Sequence, residues 1–244
     1  MPREAQVRNS ASRGNAVFDM AADYTFQAFN CQNRKLSKTN TTDMPSRDST
    51  LILASTSTYR ANLLDRLGIP FETSAPAADE SRLPNEPFDA MAARLSQAKA
   101  KSIRHPNALI IGSDQVAVCC GLVLNKPLTI EKAIEQLLWQ RGKKTEFFTA
   151  LALSKEAGKV LKVSYVKSTV EFLNENHISD DVISNYVAKA LPLNCAGSAK
   201  FEGVGVSLIK KINCEDPNAL LGLPVIKLCK FLNEWGISLI SLAK

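Results

Sequence analysis

A mixed β-sheet flanked by helices, α/β in class, is what this sequence of 244 residues predicts. Three observations carry the expectation. Short apolar runs, Leu51-Ile52-Leu53-Ala54 and Ala108-Leu109-Ile110-Ile111-Gly112, have the length and composition of buried strands. Amphipathic helical stretches alternate with them through the first half. A strand–turn–strand pattern over 147–172 then breaks the alternation, so antiparallel pairs must join the parallel ones.

Taken in order, the Leu51–Ala54 strand runs into Ser55-Thr56-Ser57 and then a helix with Leu63, Leu64 and Leu67 inward, closed by Gly68 and Pro70. Phe88–Ile103 is an alanine-rich helix with Met91, Leu95 and Ala98 on one face. The Ala108–Gly112 strand ends at Ser113-Asp114-Gln115, and Val116–Leu124 is extended chain turning at Gly121. Ile130–Trp139 is helical. Phe147–Leu153 and Val160–Phe172 form a hairpin around Glu156-Ala157-Gly158-Lys159. Ile178–Ala190 is helical, Gly205–Ile212 a strand, and Ala219–Trp235 a closing helix. Residues 1–48 differ: they are rich in Asn, Ser and Thr, and no sustained apolar period appears. They read as a disordered or loosely docked extension, with 49–244 as one domain. Asp19 and Asp23 interrupt the one stretch that could serve as the apolar core of a secretory signal.

Composition narrows the function. Hydrophobic residues make up 45% and charged residues 22%, ordinary globular usage that excludes fibres and wholesale disorder. No run approaches the roughly 18 apolar residues of a membrane span. Thirty Lys+Arg against 24 Asp+Glu give +6, mildly basic and compatible with an anionic ligand, but too small and too dispersed for a nucleic-acid stripe. The six cysteines contain no C-x-x-C pair, so they read as reduced, mostly buried thiols of a reducing compartment. The two histidines, His105 and His177, lie near no nucleophile signature. Chemistry must therefore run on carboxylates, lysines, arginine and a supplied metal ion.

Six segments carry such groups. Ser55 to Arg60 stands at a strand-to-helix junction, where free N–H groups and the helix dipole attract phosphate. Ser55 and Ser57 add hydroxyls and Arg60 a planar fork, although the same hydroxyls would serve equally as caps. Asp79-Glu80 is a loop acidic pair. Asp114, in Gly112-Ser113-Asp114-Gln115, follows a buried strand, where ligands gather in open α/β sheets. A carboxylate there holds magnesium, activates water or simply caps a turn. Lys126, Lys99 and Lys200 are point charges suited to phosphate. The glycine-rich run Cys195-Ala196-Gly197-Ser198 to Gly205 lacks the G-K-S/T of a Walker loop, and its Glu202 could read a base edge. Asp216-Pro217-Asn218 reads first as a turn and helix start.

In combination, these motifs resemble the Maf-like nucleotide pyrophosphatases from about Leu51 to the C-terminus: Leu51 to Arg60, Asp79-Glu80, Gly112-Ser113-Asp114-Gln115, Lys126-Pro127, the Cys195–Gly205 run, and Asp216-Pro217-Asn218-Ala219-Leu220 with Gly222-Leu223-Pro224. Ser113-Asp114-Gln115 and Glu202-Gly203 look like the branch acting on 7-methyl-GTP; the branch acting on dTTP and UTP shows Asp-Thr and Gln-Gly there. The resemblance implies a Maf/ITPase-like fold with an active-site cleft, and hydrolysis between the α- and β-phosphates of a nucleoside triphosphate. It also implies a divalent cation (magnesium, manganese or cobalt), a cytoplasmic setting and, often, a homodimer. By the same resemblance Asp114 is the catalytic base, with Glu80 and Lys126 catalytic beside it and Glu80 and Asp114 holding the metal. Ser55, Ser57, Arg60, Lys99 and Lys200 bind substrate, and Tyr59, Gln115 and Glu202 set base specificity. A guanine edge offers two N–H donors to a carboxylate, and N7-methylation makes the base cationic, which favours Glu202 and an aromatic face such as Tyr59.

The sequence departs from the family pattern first in its Met1–Asp48 extension, which is not usual there, and then at three positions. Ala190 occupies a position where the family often has Glu, Ala199 one where an aromatic is common, and Arg141 precedes Gly142 where Ser is common. Two other readings follow: action on dTTP or UTP, or weakly catalytic nucleotide binding that regulates cell division, which Ala190 would favour.

Overall fold

The computed structural model describes residues 50–243, so the reading of 1–48 as an extension falls outside the described residues. Among these, seven strands make one sheet: β1 (Thr50–Ala54), β2 (Glu72–Ser74), β3 (Ala108–Cys119), β4 (Leu122–Val123), β5 (Lys144–Lys155), β6 (Val160–Phe172) and β7 (Ile209–Asn213). Their order is β2-β1-β3-β5-β6-β7, with β4 on β3. β1 pairs parallel with β2 and β3, and every other pair is antiparallel. The sheet is mixed for the reason the sequence offered: β5 and β6 form a long hairpin, joined by a tight turn at Glu156–Gly158.

The helices are α1 (Thr58–Arg66), α2 (Phe88–Ser102), α3 (Ile130–Gln140), α4 (Asp180–Ala190), α5 (Val225–Glu234) and α6 (Leu239–Leu242). Local chemistry sets several of their ends. Thr129 caps α3 by accepting from the Lys132 N–H, and Ser179 caps α4 by accepting from Val182. Asp180 and Asp181 sit in the first turn of α4 and Lys189 in its last, in keeping with the helix dipole. Leu191 then turns left-handed before Pro192.

Because side chains alternate along a strand, the two faces of β3 meet different layers. Ile110, Val116 and Val118 pack toward α2 with Ala92 and Ala100. Leu109 and Ile111 pack with Leu63 and Leu64 of α1 and with Leu228, Phe231 and Leu232 of α5. Farther along, Ala117 and Cys119 join a separate core with Leu137 of α3 and Ile183, Tyr186 and Val187 of α4. The second face is thus covered by two helical layers, and a cleft beside β3 takes side chains from both faces of the sheet.

α2 lies unusually low on the sheet. A Cβ on Gly112 would sit 2.2 Å from the Ser96 carbonyl oxygen and 2.6 Å from the Ala100 nitrogen, both backbone atoms that cannot rotate away. Gly112→Ala is therefore expected to lower unfolding free energy by about 3 kcal/mol, the upper end of overpacking effects. Urea denaturation checks this; a midpoint equal to wild type would show that α2 shifts freely.

Three elements differ from the sequence expectation. The strand read as ending at Ser113-Asp114-Gln115 runs unbroken through them to Cys119; what ends is its neighbour, since Ala54 pairs with Gly112 and β1 goes no farther. The Gly205–Ile212 strand begins only at Ile209, because Val204–Leu208 curls into a 3-10 turn. A Cβ on Gly205 would stand 2.4 Å from the Lys200 carbonyl oxygen, so the chain folds back on itself there. The expected Ala219–Trp235 helix is a 3-10 turn over Pro217–Leu221, a left-handed Gly222, and then α5 from Val225. Pro224 has no N–H to continue a helix, which explains the break.

Candidate active site

Where β1 stops, β3 runs on with no strand beside it on that edge until Val118 meets β4. The chain leaving β1 turns away at Ser55 into α1, and a cleft of about 420 Å³ forms in the notch. Side chains from both faces of β3 reach it, Asp114 from the α2 side and Gln115 from the other.

Its polar centre is a triad of charges. Lys99, on the low-lying α2 and only 6% exposed, sends its ammonium to Asp114 Oδ1 at 2.6 Å and Glu80 Oε1 at 2.9 Å. A buried lysine of this kind requires counter-charges, and the two carboxylates supply them. Glu80 arrives from the 75–87 loop, which Arg94 pins to α2. Arg94 binds Glu86 with a two-pronged fork (2.6 and 2.8 Å) and donates to the Ser81 carbonyl oxygen.

Opposite lies the start of α1. Ser57 makes no side-chain cap, so its hydroxyl stays free beside the open N–H groups of the first turn. Ser55 Oγ accepts from the Ser57 N–H (3.1 Å) and from Arg60 Nη1 (3.0 Å), and Arg60 Nε donates to the Gly222 carbonyl oxygen (2.7 Å). Burial lowers the Arg60 pKa, while the Asp114 and Glu80 carboxylates act in the opposite sense. Lys126, exposed after β4, also lines the cleft.

The base-reading candidates occupy the far wall. Tyr59 Oη accepts from Cys195 Sγ at 3.2 Å; burial, reinforced by that bond, pushes the phenol pKa up and keeps it neutral. Burial likewise pushes the Cys195 thiol up. Glu202 is exposed at the rim. Gln115 is committed through its amide nitrogen, which donates to Thr149 Oγ1 and the Ala219 carbonyl oxygen (both 2.9 Å). Its carbonyl oxygen is what remains for a ligand.

The structure thus brings Ser55, Ser57, Tyr59, Arg60, Glu80, Lys99, Asp114, Gln115, Lys126 and Glu202 to one cleft. Lys200 is not among the lining residues. Its ammonium lies behind Tyr59, 6.0 Å from the ring centroid, and donates to the Ala190 carbonyl oxygen at 2.5 Å. The substitution at Ala190 therefore leaves Lys200 with a backbone acceptor and does not touch the triad. Arg141 is likewise remote, joining α3 to Asp180 of α4. His105 and His177 do not line the cleft either. The five described cysteines are unpaired, but only Cys119 is buried, so the expectation of mostly buried thiols does not hold.

Sequence reasoning missed the groups that hold the walls. Gln140 is fully buried, donating to the Gly197 carbonyl oxygen (2.7 Å) and accepting from Thr145 Oγ1 (2.9 Å), while Gln136 Oε1 accepts from Ser198 Oγ (2.6 Å). Their i, i+4 spacing on α3 marks a shared face, the one signal available. Arg94 and Glu86 gave no signal beyond opposite charge.

For a metal, the donor chemistry fits. No third Asp, Glu, His or Cys joins Glu80 and Asp114 among the described residues. Two hard carboxylate donors, with ligand phosphates completing the shell, are a usual way to hold magnesium or manganese.

An open α/β sheet whose cleft joins a carboxylate–ammonium triad to a helix N-terminus has the donors and charges that suit a phosphate-bearing ligand. The chain belongs to the Maf-like proteins, whose family model matches residues 50–235. It is similar to the 7-methyl-GTP pyrophosphatase of Nitrosospira multiformis, with 46% identity over 192 residues, 78% of this chain and 96% of the relative. The protein of that name from Aromatoleum aromaticum is 45% identical over 195 residues (79% and 99%), and that from Pseudomonas aeruginosa 46% over 191 residues (78% and 98%). No helix among the described residues is long and apolar enough to cross a membrane.

Proposed function

We propose that this protein is a nucleoside triphosphate pyrophosphatase that hydrolyses 7-methyl-GTP to 7-methyl-GMP and pyrophosphate. The observation that carries the reading is the Lys99-bridged pair of Asp114 and Glu80 facing Arg60 across one cleft. Asp114 takes a proton from the attacking water as the water oxygen bonds to the α-phosphorus. The bond from that phosphorus to the bridging oxygen breaks, and pyrophosphate leaves. Arg60, Lys126 and the first-turn N–H groups of α1 hold the phosphate oxygens as negative charge grows on them. Glu80 and Asp114 would hold a divalent cation, which neutralises phosphate charge when bound. Lys99 holds the two carboxylates in place. The proposal includes a cytoplasmic setting and a homodimer, as in the family at large.

Base choice falls to Tyr59 and Glu202. The Tyr59 face attracts a cationic purine, and the exposed Glu202 carboxylate adds charge attraction and two acceptors. Glu202→Gln removes the charge and turns one acceptor into a donor. Solvent at the rim keeps the effect near the low end for an unmade polar contact, so the ratio of kcat/KM for 7-methyl-GTP over UTP is expected to fall about 5-fold. Pyrophosphate release with both nucleotides measures it. A wild type that prefers UTP or dTTP would overturn the substrate assignment, and an unchanged ratio would remove Glu202 from it.

A further inference from the structure

The Asp216–Pro224 turn enters the cleft at Leu220, Leu221 and Gly222, yet Asp216 itself does not line it. Four side chains end on its carbonyl groups. Arg60 Nε and Ser113 Oγ both reach the Gly222 oxygen at 2.7 Å, and Gln115 Nε2 and Thr149 Oγ1 reach the Ala219 oxygen at 2.9 and 3.0 Å. A simple helix start would not need its carbonyls read from two strands and α1.

We infer that this turn, locked by Asp216, aims Arg60 at the substrate phosphates, which makes Asp216 a positioning residue for the reaction; the inference rests on the function proposed above. Asp216 is 1% exposed. One of its oxygens accepts from the Asn218 N–H (3.1 Å) and the other from the Ile226 N–H (2.7 Å), so a single carboxylate ties the start of the turn to the first turn of α5. Gly222 then takes a left-handed conformation (φ 94°) and lies close against the guanidinium: a Cβ there would stand 3.2 Å from Arg60 Nε. Arg60 is thereby held twice, at Nε by Gly222 and at Nη1 by Ser55. A guanidinium has five N–H donors, so three stay available for phosphate in a fixed plane.

The test is made on the full-length chain with 7-methyl-GTP and magnesium. Asp216→Asn cannot accept two backbone N–H groups through two oxygens, so the turn loosens. The expected result is a loss of about 10-fold in kcat/KM, mostly in kcat, because Arg60 keeps its charge and loses its aim. In an Arg60→Lys background, which has no Nε–H to be held, the same change should cost under about 2-fold, a coupling that a general loss of packing would not produce. The 15N–1H signal of Arg60 Nε–H reports the bond directly and should exchange with solvent at least about 10-fold faster in Asp216→Asn. Should that variant fail to fold, Asp216→Ser keeps a cap acceptor for the Asn218 N–H, loses the one on the Ile226 N–H, and is read the same way. Equal losses in both backgrounds, or an unchanged Nε–H signal, would overturn the inference. A wild type that cleaves no nucleotide would overturn the functional reading instead, and the Nε–H signal would still decide this one.

Discussion

Asp114→Asn is expected to lower turnover of 7-methyl-GTP by about 100-fold or more, the scale of a lost general base. Asparagine matches aspartate in volume, so the strand, the cleft and the Gly112 contact with α2 are undisturbed. What disappears is the capacity to accept a proton, one anionic ligand for the cation, and one charge against Lys99, whose ammonium lies 2.6 Å from the native carboxylate. Substrate still binds, because Arg60, Lys126 and the start of α1 belong to other segments. Single-turnover pyrophosphate release, with KM measured alongside, tests this. Turnover within a few-fold of wild type would move the role of base to Glu80, which shares the same ammonium.

Lys99→Met should be the most destabilising single change in the cleft. It strands Asp114, 8% exposed, without its counter-charge. Removing one partner of a buried ion pair costs about 3–5 kcal/mol, far more than the pair contributes over an apolar replacement. Nearly all of this comes from Asp114, because the Glu80 side chain is 61% exposed and water screens it. Urea denaturation gives the size of the loss. The same variant tests the metal proposal without activity: with the ammonium gone, magnesium should raise its unfolding midpoint more than that of wild type, by mass action on the folded state. Equal responses to magnesium would argue that these carboxylates do not hold the ion.

The order of strands and helices was largely legible because buried β-runs and amphipathic helices leave local patterns: Leu51–Ala54, Ala108–Gly112 and the inward Leu63 and Leu64 of α1 all announce themselves. The end of β1 was not, since a strand that outlives its neighbour looks the same in sequence as one that stops. The two 3-10 turns were hidden for a related reason. Gly205 and Gly222 are demanded by close approaches to Lys200 and Arg60, contacts made by residues 5 and 162 positions away. Most of the cleft lining was readable because several polar residues fall together at strand ends and helix starts, although each alone would serve equally as a cap. Lys200 falls outside the cleft lining because its long side chain finds an acceptor in the Ala190 carbonyl, which no spacing announces. Gln115 lines the cleft as expected, yet its amide nitrogen faces inward to Ala219, a direction no spacing encodes.

Arg60 and the carbonyl that holds it stand 162 residues apart, nearly the full span of the domain. Chains are made from the N-terminus at about 5–20 residues per second, so on the order of 10–30 s separate the synthesis of the two. During that interval β1, α1 and the Lys99 triad have already been made, while the last support for the guanidinium has not. A nascent chain therefore carries the charges of the site before it carries their arrangement, and ordering of the cleft is delayed until the Asp216 turn and α5 have left the ribosome and docked.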